Sequence, residues 1–124
     1  MKILLVDDVP DMRELFRVML EKLGHKVFEA ANGMEAIQAA IAFGPDCILM
    51  DLNMPEVDGL LATAALRRIV PFDIVPIVAI TAYPEALLQD KAMAAGCDGY
   101  LRKPFASQDL AAVLDQFSQQ GQSC

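Results

Sequence analysis

The chain has 124 residues and a formal net charge of −7, which suits one domain of ordinary size with a real hydrophobic core. Adjacent basic residues occur only at Arg67-Arg68 and Arg102-Lys103, so the clustered positive charge that grips phosphate backbones is missing and direct nucleic-acid binding is not expected. Three cysteines without C-x-x-C spacing argue against a disulfide framework or a zinc site. No apolar stretch approaches the roughly 18–20 residues of a membrane span, and the few apolar residues between Lys2 and Asp7 are too short for a signal-peptide core, so a cytoplasmic protein that touches no membrane is expected.

Short apolar runs then alternate with stretches of helical periodicity. The first run, Ile3–Val6, ends in the adjacent aspartates Asp7 and Asp8. Pro10 stands where a first helical turn tolerates proline, Met12, Leu15, Phe16, Met19, Leu20 and Leu23 form one apolar stripe, and Gly24 is a natural stop. The second run, Val27–Ala30, leads to Asn32 with Glu35 three residues on, a capping-box pattern opening a helix that ends at Gly44-Pro45. The third run, Cys47–Met50, takes Cys47 as a small buried hydrophobe and precedes Asp51 and a helix from about Gly59 to Val70. The fourth, Ile77–Ile80, precedes Thr81 and a helix that follows Pro84 and ends near Gly96. The fifth, Tyr100–Leu101, precedes Lys103 and a helix from about Ser107 with Leu110, Val113, Leu114 and Phe117 on one face. From Ser118 the Gln-rich end reads as flexible, so residues 1–119 are expected to form the domain and 120–124 a tail or the start of a linker.

The first, third and fourth runs lack polar alternation, as strands covered on both faces do. Strand and helix alternating five times predict a single (βα)5 α/β domain, a doubly wound parallel sheet with helices on both faces.

The polar residues collect at the strand ends. Asp7 and Asp8, Asp51, Thr81 and Lys103 each stand at or just past the carboxyl end of a strand, the edge along which open α/β sheets bind ligands. Three carboxylates and one ammonium leave a local charge of about −2, and two carboxylates about 4 Å apart repel by roughly 4 kcal/mol at an effective dielectric near 20. Hard oxygen ligands without His or Cys suit Mg²⁺, which explains why an apolar strand ends in two like charges. A carboxylate beside such an ion can act as a nucleophile toward phosphorus and form an acyl phosphate. The ion, the Lys103 ammonium, the Thr81 hydroxyl and backbone N–H groups after Asp51 can meet the phosphoryl oxygens. Each residue alone has an ordinary structural reading as helix cap, turn residue or solvated charge; the combination does not.

The markers ILLVDD, ILMDLNMPEVDG, AITA and YLRKPF, in this order, resemble the receiver domain of bacterial response regulators over about Lys2 to Phe117. The resemblance implies the flavodoxin-like strand order 2-1-3-4-5. It implies Asp51 as phosphoacceptor, and Asp8, Asp51 and the backbone carbonyl of Asn53 as Mg²⁺ ligands, with Asp7 acting mainly through water; Mn²⁺ suits the same ligands. It implies Lys103 as the phosphoryl-binding lysine, a cis bond at Lys103-Pro104, Thr81 as switch hydroxyl and Tyr100 as switch aromatic. Asn53 and Tyr83, two residues past Asp51 and Thr81, are expected to flank the path of attacking water and tune how long the acyl phosphate survives. The implied partners are a histidine kinase or histidine phosphotransfer protein, and a downstream protein meeting the surface of the fourth helix, fifth strand and fifth helix, with the chain a monomer or a weak phosphorylation-dependent dimer. Such a domain is a switch, not an enzyme with a separate substrate. Two other readings use the same residues. A Mg²⁺-dependent phosphatase of the haloacid dehalogenase kind would carry D-x-D after its first strand, where this chain has Asp7-Asp8-Val9. A receiver-like module that binds without phosphorylation would not need the intact acidic set.

Overall fold

The computed structural model describes the backbone of residues 1–52, 58–69, 71–82 and 86–122, and the side chains of these apart from 58, 86–89 and 118–122. The chain alternates β1 (Lys2–Val6), α1 (Pro10–Lys22), β2 (Lys26–Ala30), α2 (Gly33–Phe43), β3 (Cys47–Asp51), α3 (Asp58–Leu66), β4 (Ile77–Thr81), α4 (Ala86–Ala95), β5 (Gly99–Arg102) and α5 (Ser107–Gln122). All five strands are parallel in the order β2-β1-β3-β4-β5.

The three continuous apolar runs occupy the centre of the sheet. Every residue of β3 and β4, and all of β1 after Lys2, is buried, whereas β2 and β5 are edge strands with exposed positions. Successive residues feed opposite faces, as the two-residue period of a strand requires. Leu4, Val6, Ile48, Met50, Ile77 and Ala79 pack toward α2, α3 and α4; Ile3, Leu5, Cys47, Leu49, Val78 and Ile80 pack toward α1 and α5. Each core therefore draws on every central strand, and fully burying one such side chain contributes roughly 1.5–3 kcal/mol.

Local signals set the element ends. Pro10 opens α1, Gly24 follows it at φ +93°, and Gly44 closes α2 at φ +59°. Asn32 caps α2 by accepting from the Glu35 N–H at 2.9 Å, while the Glu35 carboxylate accepts from the N–H of Ala31, one residue earlier than a capping box places it. Two helices differ from expectation. α3 stops at Leu66 instead of reaching Val70 (itself outside the described residues), because Arg68 and Ile69 donate to carbonyls three residues back and tighten the chain out of the helix. α5 continues to Gln122, so residues 120–122, expected in a flexible tail, have helical backbone, consistent with the good helix propensity of glutamine.

Candidate functional site: an acidic crevice at the carboxyl ends of β1, β3, β4 and β5

Parallel strands bring their carboxyl ends to one edge, and the central pair reverses direction of connection there: the chain leaves β1 toward β2 on one side and reaches β3 on the other. Asp7 extends β1 by one residue, donating its N–H to the Ala30 carbonyl at 3.1 Å. Asp51 is the last residue of β3 and Thr81 the last of β4. Lys103 is held one residue past β5, its N–H donating to the Thr81 carbonyl at 2.7 Å, and the Lys103-Pro104 peptide is cis.

One carboxylate oxygen from each of Asp7, Asp8 and Asp51 lies within 4.8 Å of the others. Asp7 and Asp51 are buried, Asp8 partly so. The Lys103 Nζ stands 3.3 Å from Asp51 Oδ2 and 4.0 Å from Asp7 Oδ2. Asp7 Oδ1 accepts the N–H of Val9 at 2.9 Å, while no hydrogen-bond donor among the described residues reaches its buried Oδ2. Burial pushes the Asp7 carboxyl up to about 6; the charge of Asp51 adds to that push, and the Val9 N–H and Lys103 oppose it. A buried acceptor without a donor, beside two further carboxylates and no His or Cys among the cluster, is a donor set that fits a hard divalent cation such as Mg²⁺.

Thr81 is fully buried at the crevice. Tyr100 lies across the β4/β5 ladder from Ala79, partly buried against the α2–α3–α4 core. Asn53 and Tyr83 lie outside the described residues. Three residues outside the candidate set read from the sequence also shape the site. Arg13 donates from Nη1 to the Asp7 carbonyl at 2.9 Å and from Nε to Glu29 at 3.1 Å, tying the acidic loop to β2. Phe16 lies under the Lys103 ammonium. Gly59 brings α3 so close to β3 that a Cβ there would stand 2.7 Å from the Asp51 carbonyl oxygen. Of the three, only Gly59 stands within one of the sequence markers, ILMDLNMPEVDG, where it also reads as a helix start.

With this geometry in place, the similarities to known proteins fall into one group. A family model for the response regulator receiver domain matches residues 3–115. The transcriptional regulatory protein SrrA of Staphylococcus aureus is 33% identical over 122 residues, which is 98% of this chain and 49% of that protein; the chain thus spans about half the length of the curated relatives it matches. The chemotaxis protein CheY4 of Vibrio cholerae superposes with a TM-score of 0.88 at 31% identity, covering 94% of this chain and 97% of that one. The receiver domain of the sensor histidine kinase PA1611 from Pseudomonas aeruginosa, solved with a magnesium ion coordinated in its active-site cleft, superposes with a TM-score of 0.87 at 35% identity, covering 94% and 95%. Family match, strand order and acidic crevice agree, and the chain belongs to the response regulator receiver domains of two-component signalling.

Proposed function

We propose that this receiver domain takes a phosphoryl group onto Asp51 from the phosphohistidine of a histidine kinase or phosphotransfer protein, and that the transfer alters its partner-binding surface. The observation that carries the assignment is the Lys103 ammonium 3.3 Å from the buried Asp51 carboxylate, beside Asp7 and Asp8.

Asp8, Asp51 and the Asn53 carbonyl would hold Mg²⁺ (or Mn²⁺), with Asp7 joined through water. When bound, the ion supplies positive charge that offsets the excess of carboxylates and the charge gathering on phosphoryl oxygens. An Asp51 carboxylate oxygen attacks phosphorus, an O–P bond forms, and the P–N bond to the imidazole breaks with its electron pair leaving on nitrogen. Lys103 follows the transferred charge from the carboxylate to a phosphoryl oxygen, and the Thr81 hydroxyl donates to another. A charge-assisted hydrogen bond of that kind gives two Thr81 rotamers different free energies, and Tyr100, on the neighbouring strand, repacks with them. The face of α4, β5 and α5 is then the readout, for a downstream protein or a weak phosphorylation-dependent dimer. Asn53 and Tyr83, two residues past Asp51 and Thr81 in the chain, would tune how long the phosphoryl group survives; Tyr83→Ala is expected to speed its loss, and an unchanged dephosphorylation rate would remove that role.

The test is intact-protein mass after incubation with acetyl phosphate, with and without Mg²⁺, beside Asp51→Asn. One added phosphoryl group that needs Mg²⁺ and is lost in the variant is the expected result. Failure of the wild-type chain to take up either the phosphoryl group or fluoroberyllate would overturn the assignment.

A further inference from the structure

Phe16 is a buried residue of α1 that helical periodicity reads as one more member of an apolar stripe. Its ring makes two contacts that ordinary core packing does not require. The Lys103 Nζ lies over the ring, 5.6 Å from its centroid, inside the roughly 6 Å over which the negative face of an aromatic ring attracts a cation. Phe105, two residues past that lysine, stacks on the same side chain with centroids 5.1 Å apart and planes inclined by 23°. Phe16 therefore grips the 103–105 segment twice, once through the ammonium and once through the stacked ring.

Among the described residues, the ammonium also faces Asp51 at 3.3 Å and Asp7 at 4.0 Å. Those carboxylates are the groups whose charge changes as the site works: a divalent cation offsets both, and phosphorylation turns Asp51 into an acyl phosphate. The quadrupole of the Phe16 ring does not change in either event. Of these three neighbours, the ring alone attracts the lysine equally throughout.

We propose that Phe16 is a positioning residue for phosphoryl acceptance, its ring face keeping the Lys103 ammonium over Asp51 while the carboxylates around it are neutralised, and its stack on Phe105 joining that hold to the backbone that carries the lysine. The proposal rests on the phosphoacceptor reading of Asp51.

Replacing Phe16 with mono-, di- and trifluorinated phenylalanines weakens the ring's negative face in steps while leaving its shape nearly constant. The readout is affinity for beryllium fluoride, titrated calorimetrically at saturating Mg²⁺, with thermal melting recorded for each protein. The expected result is a stepwise loss reaching about three- to fivefold at the trifluoro ring, with melting temperature changing little. A flat series, or a loss that only tracks a falling melting temperature, would overturn the role of Phe16 and leave the Asp51 assignment standing. Absence of beryllium fluoride binding by the wild-type chain would instead remove that assignment, and this proposal with it.

Discussion

Asp7 is a buried carboxylate whose place in the crevice works against stability. Its Oδ2 is buried without a hydrogen-bond donor among the described residues, close to two other carboxylates. The folded state raises its pKa from an ordinary 3.8 to about 6, mainly through burial. Between those values the folded chain binds a proton that the unfolded chain has released, so the linkage slope is negative. This residue's contribution to stability is therefore fullest below about pH 4 and is lost as pH rises toward 6. Asp7→Asn should remove that contribution: in chelator, the stability difference between variant and wild type, followed by urea unfolding, is expected to grow from pH 4 to 6 and then level off at about 1–3 kcal/mol in the variant's favour. Added Mg²⁺ should stabilise the wild type by mass action and narrow the gap. If the difference is independent of pH, burial of an ionised Asp7 is not what strains the site.

Among the elements, α3 illustrates how a helix is seated from both ends. At its start, a side chain on Gly59 would drive into the Asp51 carbonyl and the Leu52 side chain, with Cβ contacts of 2.7 and 3.1 Å. Gly59→Ala is expected to cost about 1–3 kcal/mol in chemical unfolding, the usual penalty of overpacking, and to weaken Mg²⁺ binding because the displaced backbone is that of Asp51. Just past its end, Arg67 donates to the carbonyls of Gly96, Phe72 and Val75 and to the Asp98 carboxylate at 2.6–2.9 Å. Asp98 also accepts from the Ile77 N–H at 3.0 Å, so one guanidinium fastens the approaches to both β4 and β5. Arg67→Ala should destabilise by on the order of 3 kcal/mol, since it removes one partner from a half-buried charged network. Arg67→Lys should recover little of it, because an ammonium lacks the planar fork that spans several acceptors. Full recovery by lysine would show that charge alone matters there.

At the scale of the whole molecule, the elements lie unequally close to the crevice. β4 and β5 carry Thr81 and Tyr100, and α5 packs on the same face as Phe16 and Leu101, whereas β2 is an edge strand paired with β1 and α2 meets the crevice through its neighbours β1 and α3. Hydrogen exchange with and without fluoroberyllate should therefore change most along residues 81–117 and least along α2. A uniform increase in protection would indicate simple stabilisation by a bound ligand and would remove the proposed switch face. No helix among the described residues is long and apolar enough to cross a membrane.

Much of this architecture was legible without coordinates because it follows from local periodicity. Continuous apolar runs mark β1, β3 and β4 as the strands covered on both sides, and the cap at Asn32 and the face of α5 stand where the sequence puts them. The α1 stripe is buried at Phe16 and Leu20 but leaves Leu15 and Leu23 exposed, because the sheet covers a narrower strip of the helix than its apolar face offers. The convergence of Asp7, Asp8, Asp51, Thr81 and Lys103 was also legible, since parallel strands with helical crossovers must bring their carboxyl ends to one edge. What periodicity could not supply were contacts between residues distant in the chain. Phe16 and Leu20 look alike along α1, yet only Phe16 lies under Lys103; the reach of Arg13 to the Asp7 carbonyl and the approach of Gly59 to Asp51 depend on how α1 and α3 settle on the sheet. The bonds of Arg67, just past the end of α3, to carbonyls 5 and 29 residues away are likewise tertiary. Amino-acid order determined which residues share a strand end or a helix face, because those relations repeat over a few residues; tertiary packing decided which of them touch, because contact distances are set by all the layers at once.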